Sequence, residues 1–537
     1  MLISVARCLE QSPVFWRPAI FPTTRKLLGQ DAWNRLIGKS LQELDPETVP
    51  AQLEKVAGLT HPEWLPDLAR LELGCHRAMN IPLSQPEELQ TLTINPSLQL
   101  LPVPWTHLLT LLTFAKKQDM ERVEPGEELV LIWSDPTNRN LRFETALPDH
   151  LLALKMVTEG ITPEEAARQA DQPIALFDAV LWDAVRKGVL LAPVSRLRRT
   201  LAIASQAVDK RFVAAEVFTL QWHLTQSCDL SCKHCYDRSQ RAAFPFDRAV
   251  TLMQELRDFC WSRFVRPQVS FSGGNPLLHP DFFRIYQAAA DHGLMIAILG
   301  NATERSNIEQ LMAIQRPVYY QVSLEGLEEH NDSIRGEGNF KRTIAFLEML
   351  TELGVPNMVM LTLTRNNLDQ VIPLAEVLEG ITGGLTFNRL ALFGEGAQLA
   401  LPTREEYKAF LEQYVAAMPT HPVLALKDSL LNAIYDDRDE PLFGGCAGFG
   451  CGAAFNFVAI LSDGEVHACR KFPSPIGNIL SQSLEEVYSS ATAERYREGS
   501  TACSGCKLKP VCGGCLAVTA SFGHDPLTSK DPYCFRI

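Results

Sequence analysis

The chain has 537 residues, of which 46% are hydrophobic and 21% charged. That is an ordinary globular composition; it excludes a fibre or a largely disordered chain, and the length predicts two to four domains. The 63 acidic and 50 basic residues leave a net charge of −13, which repels phosphate backbones and anionic bilayers, so no nucleic acid and no membrane is expected as a partner.

Residues 1–125 read as a mainly helical region, with polar–apolar periodicity in stretches such as PEWLPDLARLELGCHRA (residues 62–78) between proline-containing breaks. The most apolar segment, residues 100–115, is interrupted by Pro102, Pro104 and His107. Together with the lack of a secretory pattern, this predicts a cytoplasmic protein. Residues 126–200 start with two strand-like runs around an Asp-Pro-Thr-Asn turn, then give three short helices. The middle helix opens on Thr162-Pro163-Glu164-Glu165, a capping box with proline in the first helical position, and the third ends at Gly188 before an apolar strand. That order fits a winged-helix-like module or a helical spacer. A basic connector, with Arg196, Arg198, Arg199, Lys210 and Arg211, leads on. These charges suit either solvent or an acidic peptide.

Within residues 215–400 apolar strand-like runs alternate with helical stretches. Strands are expected near 220–225, 268–273, 295–300, 318–326, 357–364 and 385–392, and helices over 246–259, 280–292 and 340–353. Six strand–helix units imply parallel strands with right-handed crossovers, hence an α/β fold class and a partial (β/α)6 barrel whose working end lies at the loops after the strands. Residues 401–440 read as a helical linker, and 441–537 as a cysteine-rich tail in which Asp463-Gly464 predicts a two-residue hairpin turn.

The chain has fourteen cysteines. In a long chain without an export signal they point to metal or redox chemistry rather than disulfides. Cys8, Cys75 and Cys260 are isolated. The first barrel strand runs directly into CDLSCKHCY, which spaces Cys228, Cys232 and Cys235 as C-x3-C-x2-C. Three thiolates on one loop do not complete a tetrahedral zinc set, but they can hold three irons of a [4Fe–4S] cube and leave the fourth open. A zinc knuckle and buried core cysteines are the competing readings. The tail carries Cys446, Cys451, Cys469, Cys503, Cys506, Cys512, Cys515 and Cys534, enough for two four-cysteine sets. Taken alone, its CxxC pairs would equally suit a zinc ribbon.

The three-cysteine loop followed by Tyr236 resembles the signature of the radical S-adenosylmethionine (SAM) superfamily, and the tail resembles the SPASM extension of radical peptide maturases. The resemblance spans about residues 218–537 and implies a SAM cofactor on the open iron. It further implies an activity that modifies a side chain of a ribosomally made peptide or protein after hydrogen abstraction. Tyr236, Gly273, Gly274, Asn275, Pro276, Asn301, Ser323 and Arg335 match cofactor-binding positions at successive strand ends. Asn275 stands where the family usually has a glutamate, an amide without that residue's charge. The resemblance also implies one auxiliary [4Fe–4S] cluster on Cys446, Cys451, Cys469 and Cys515, and a second on Cys503, Cys506, Cys512 and Cys534. Here the pair Cys512/Cys515 is separated by two residues, where many members have three.

The N-terminal stretches PEWLPDLARLE and NPSLQLLPVPW look like those of the selenobiotic-family branch. The partners implied are a precursor peptide or protein and a flavodoxin- or ferredoxin-type electron donor. Alternatives are a formylglycine-forming sulfatase maturase, a radical enzyme for tetrapyrrole or quinone precursors, and a non-enzymatic electron carrier or peptide-binding scaffold. The catalytic acid or base is not identified by the sequence.

Overall fold

Pro102 and Pro104 deny residues 99–106 a helix, because each removes an amide donor and clashes with the preceding turn. The segment is instead a strand at the margin of a sheet, where a missing N–H can face outward. In this computed structural model, which describes residues 20–37, 45–58, 61–82, 88–113, 117–199 and 210–536, the region read as helical up to residue 125 is therefore mixed. Its long helix, Leu65–Asn80, is present. But β1 (Thr93–Ile94) and β2 (Gln99–Thr106) lie within it. Cys8 and connector residues 200–209 fall outside the described residues.

The chain divides into two compact units, one in residues 7–194 and one from residue 195 onward. In the first unit, β2 pairs antiparallel with β3 (Glu124–Ser134), and β3 with β4 (Leu141–Thr145). Three helices follow, Pro148–Glu159, Pro163–Ala170 and Ile174–Lys187. The Thr162 hydroxyl accepts from the Glu165 amide at 3.2 Å and the Glu165 carboxylate accepts from the Thr162 amide at 2.9 Å, the reciprocal cap its sequence predicts. Gly188 ends the third helix at φ 78°, and β5 (Leu190–Leu191) then pairs with β1.

Glu72, buried on the Leu65–Asn80 helix, accepts from the amides of Thr23 (2.6 Å) and Thr24 (3.1 Å) in the first turn of the helix Pro22–Leu28. Burial outweighs those bonds and pushes its carboxyl up to about 7. An acid with a raised folded pKa contributes stability that is complete below its unfolded value and lost as pH rises through the folded one. Hydrogen exchange of helix Leu65–Asn80 in the full chain should accordingly speed up between about pH 4.5 and 7, by an amount on the order of 3 kcal/mol of opening free energy. Glu72→Gln should flatten that dependence; an unchanged pH profile in the variant would refute the assignment.

In the second unit, six parallel strands form one continuous series in the order β11-β10-β9-β8-β7-β6. They are β6 (Val217–Thr225), β7 (Arg266–Gly273), β8 (Met295–Leu299), β9 (Tyr319–Ser323), β10 (Asn357–Leu363) and β11 (Leu385–Arg389). Alternation of side chains sorts the two faces. Leu220, Trp222, Val269, Phe271, Ile296, Ile298, Tyr320 and Val322 belong to the core that the surrounding helices share. The opposite, concave face carries half-buried Gln221 and buried but polar His223, Gln268, Ser270, Ser272 and Gln321. Packed (β/α)8 barrels fill that space with branched apolar residues; this one does not.

The tail continues the same sheet. β12 (Phe457–Ile460) pairs parallel with β6, from Thr219↔Phe457 to Trp222↔Ile460, and β13 (Glu465–His467) and β14 (Pro475–Asn478) follow antiparallel. The turn at Asp463-Gly464 is a three-residue connection rather than the two-residue one expected. The Gly464 amide donates to Leu461 O (2.9 Å), the Leu461 amide donates to Glu465 O (2.9 Å), and Gly464 takes φ 83°.

The linker is two helices, Arg404–Ala417 and Leu431–Asp437. Between them, residues 423–425 run beside β11, with Leu385 N donating to Val423 O at 2.6 Å and Ala425 N to Leu385 O at 2.9 Å. Buried Arg389 at the end of β11 ties barrel to tail, donating to Asp428 (2.8 Å) and, through both terminal nitrogens, to Asp531 (2.9 and 2.8 Å).

Candidate active site

The end of β7 touches the loop that follows β6. Gly274 N donates to Thr225 O (2.8 Å) and Asn275 N to Ser227 O (2.7 Å). A Cβ on Gly274 would lie 2.2 Å from Ser227 O, and Gly273, at φ 133°, would place one 2.2 Å from Thr225 O. Only glycine permits this approach. The loop itself is braced by Lys233 N donating to Ile334 O (3.0 Å), Cys235 N to Cys232 O (3.1 Å) and Glu395 N to Cys235 O (2.9 Å). Gly394, at φ 58°, leaves room for the Cys235 and Tyr236 carbonyls.

Cys228 is exposed, and Cys232 and Cys235 are half-buried. Burial pushes the Cys232 thiol up; Arg335 opposes this, while Glu325, Cys228 and Cys235 add to it. Two N–H donors face these sulfurs: Arg335 Nη1 lies 3.8 Å from Cys232 Sγ, and Asn301 Nδ2 3.5 Å from Cys228 Sγ. Three thiols at a strand end, supplied with such donors and facing a rim that admits no Cβ, suit a cluster with one open iron and a ligand reaching it.

Arg335 sits differently from the expectation of a direct cofactor contact. Its Nε and Nη2 donate to buried Glu325 at 2.9 and 2.7 Å, leaving only Nη1 toward Cys232. Glu325 also takes His234 Nε2 (2.7 Å) and the Thr362 amide (2.8 Å). Burial alone would raise its carboxyl, but the His234 and Arg335 charges and these bonds hold it at about 2. Glu325 thus anchors the cysteine loop through His234, and the family-matched arginine through two charge-assisted N–H bonds to one oxygen, Oε1. Sequence reasoning did not single it out; a glutamate near the end of the strand-like run 318–326 was the available signal.

Asn275 is buried and caps the turn Pro276–Leu278, accepting from Leu277 N at 3.4 Å. Its amide nitrogen donates to Asp229 Oδ1 (3.1 Å), which also accepts from Asn301 Nδ2 (2.6 Å). The carboxylate missing at position 275 is therefore present beside it, contributed by the cysteine loop. Asp229→Asn is expected to weaken SAM binding to the iron-loaded enzyme about tenfold, which is the size of one charge-assisted bond; unchanged affinity by equilibrium titration would exclude that contribution. Ser323 closes β9, half-buried. Tyr236 Oη meets His223 Nε2 at 2.7 Å on the concave face.

The tail cysteines fall into two neighbourhoods. Cys446, Cys451, Cys469 and Cys515 line one cavity, together with Asn388, Lys471 and Phe472. Burial, reinforced by those neighbouring sulfurs, pushes Cys451 up to about 12 and Cys469 up to about 11. The Cys506 and Cys534 sulfurs lie close enough to Cys503 to help raise its thiol, and Cys503 does the same for Cys512. Asp531 links the groups, accepting from the Cys515 amide at 2.8 Å. Cys75 and Cys260 are buried in the apolar cores. Asp463 and Glu465, near the auxiliary cysteines in sequence, hold Arg241 at 2.8 and 3.0 Å.

Among the connector residues, Arg199 donates to the carbonyls of Arg497 (2.6 Å) and Cys451, so it braces the tail. Arg196, Arg198 and Arg211 are exposed; the surroundings of the Lys210 side chain lie outside the described residues.

A profile described as the radical SAM superfamily matches residues 222–378, and one described as an iron–sulfur cluster-binding domain, SPASM, matches residues 451–515. The chain is a radical SAM enzyme with a SPASM domain. It is similar to an AdoMet-dependent heme synthase of Methanosarcina barkeri, 27% identical over 347 residues, which span 59% of this chain and 95% of that protein. It is likewise similar to mycofactocin maturase MftC of Mycolicibacterium smegmatis, 29% identical over 59% of this chain and 82% of that protein. In fold, this radical SAM enzyme resembles crystalline Streptococcus suis SuiB, with a TM-score of 0.51 at 17% identity, covering 76% of this chain and 96% of that one. No helix among the described residues is long and apolar enough to cross a membrane.

Proposed function

We propose that this radical SAM enzyme modifies a side chain of a ribosomally made peptide, using Cys228, Cys232 and Cys235 for the catalytic cluster. Cys446, Cys451, Cys469 and Cys515 would hold one auxiliary [4Fe–4S] cluster, and Cys503, Cys506, Cys512 and Cys534 the other. What carries this reading is that the three-cysteine loop and the four-cysteine cavity both border one polar barrel interior: Tyr236 enters it at His223, and Asn388 lines the cavity from β11. A SAM bound to the open iron supplies, on one-electron reduction, a 5′-deoxyadenosyl radical able to abstract hydrogen.

The chain's own residues bind, orient and exclude water. Gly273 and Gly274 present backbone to the cofactor, with Asn275, Pro276, Asn301 and Asp229 around its amino end. Ser323 and Tyr236 flank it, and Glu325 with Arg335 fixes the loop. The mycofactocin maturase supports a peptide substrate by analogy. In the first unit, β4 lies at the margin of its sheet, so a leader peptide could add there as a further strand. A flavodoxin- or ferredoxin-type donor in the cytoplasm would supply electrons, consistent with thirteen described cysteines that form no disulfide.

Anaerobically prepared protein, reduced in the presence of SAM, is expected to release 5′-deoxyadenosine. No release would defeat the reading and leave an electron carrier. A tetrapyrrole substrate is the second reading, favoured by the heme synthase match over 95% of that protein; release stimulated by an iron porphyrin and by no peptide would select it.

A further inference from the structure

Three buried or half-buried arginines of the second unit have carboxylate or main-chain carbonyl partners, whereas half-buried Arg470 has neither among the described residues. Arg335 has Glu325, Arg389 has Asp428 and Asp531, and Arg199 has two main-chain carbonyls. Arg470, directly after Cys469, reaches across to β7, where Nη1 donates to Ser272 Oγ at 3.4 Å. No carboxylate of the described residues lies within ion-pair distance of it.

A guanidinium offers five N–H donors in a planar fork, and the side-chain partner of this one, Ser272, takes only Nη1. The surroundings point to what the other donors face. Arg470 lies on the polar concave face, level with His223, to which Ser272 is paired in register. Its chain neighbours Cys469 and Lys471 line the auxiliary-cysteine cavity. It therefore stands between the two groups of cysteines, where a reacting group would have to be held.

We propose that Arg470 is a substrate-binding residue that takes a carboxylate of the substrate in a two-pronged pair inside the barrel. The inference rests on the barrel interior being the substrate chamber. The shared chemistry is an acid side chain or chain end of a peptide, or a propionate of a tetrapyrrole. A substrate so anchored would present the carbon next to its acid group to the rim formed by Gly273 and Gly274.

The test reads Arg470 itself, in full-length iron-loaded enzyme without SAM, so it is independent of whether deoxyadenosine is released. Butane-2,3-dione labelling followed by peptide mass spectrometry should modify Arg470. Glutarate should slow that labelling at least fivefold, whereas glutaramide should not. Protection by a glutamate-containing hexapeptide but not by coproporphyrin assigns the acid to a peptide, and the reverse assigns it to a tetrapyrrole. Labelling that no carboxylate slows, or an Arg470 that resists the reagent without any ligand, overturns the proposal. Arg470→Gln supplies the second readout: it should abolish glutarate binding by calorimetry while the iron content stays at the wild-type level. Glutarate binding equal to wild type would equally overturn it.

Discussion

Cys232→Ala should reduce 5′-deoxyadenosine release to background and lower bound iron by one cluster's worth, while the spectroscopic signals of the tail clusters persist. Two remaining thiolates do not hold a cube in place, and Cys232 is the sulfur that Arg335 Nη1 faces at 3.8 Å. The substitution leaves the loop's framework intact, because the bracing there is main-chain: Cys235 N to Cys232 O at 3.1 Å and Arg238 Nη2 to the same carbonyl at 2.7 Å. A folded protein without chemistry is therefore the expected phenotype. Cys512→Ala serves as the converse, with iron lost from the tail and the open cluster retained. If Cys232→Ala kept full release, the three-cysteine loop would not be the radical centre.

Glu325→Ala should be the most damaging single change to the barrel. It strands the Arg335 guanidinium in a buried position, frees the Thr362 amide and removes the partner of His234. Removing one member of a buried ion pair costs roughly 3–5 kcal/mol. The loss should appear as faster hydrogen exchange at β10 and as poor iron loading at the three-cysteine loop. Glu325→Gln, which preserves shape and one acceptor oxygen but not the charge, should be milder in exchange and still impaired in loading. Wild-type exchange and loading in Glu325→Ala would show that the network is dispensable.

The barrel strands were legible because buried parallel strands read as near-continuous apolar runs, bounded by the helices between them. The three-cysteine loop was legible because its spacing carries chemistry by itself. What escaped was polar. The helix Glu328–Arg335 has almost no apolar face; its buried residues are Asn331 and Arg335, held by hydrogen bonds to the Glu325 amide and carboxylate. Periodicity has nothing to detect in such a segment. Asp229 looked like a spacer between cysteines, and its meeting with Asn275 and Asn301 joins residues 46 and 72 positions apart. At Pro102 and Pro104 the breaker was visible, but not that it marked a sheet margin rather than a gap between helices.

The parallel pairing of β12 with β6 has a mechanical consequence. The strand that leads into the three-cysteine loop is paired over Thr219–Trp222 with the strand that leaves the auxiliary cavity, so no hinge separates the two groups of sulfurs. An electron leaving a substrate radical would cross a gap of fixed width, set by a covalent and hydrogen-bonded ruler rather than by the chance docking of a second lobe. Tuning of that transfer would then fall to side chains inside the gap, not to motion of its walls.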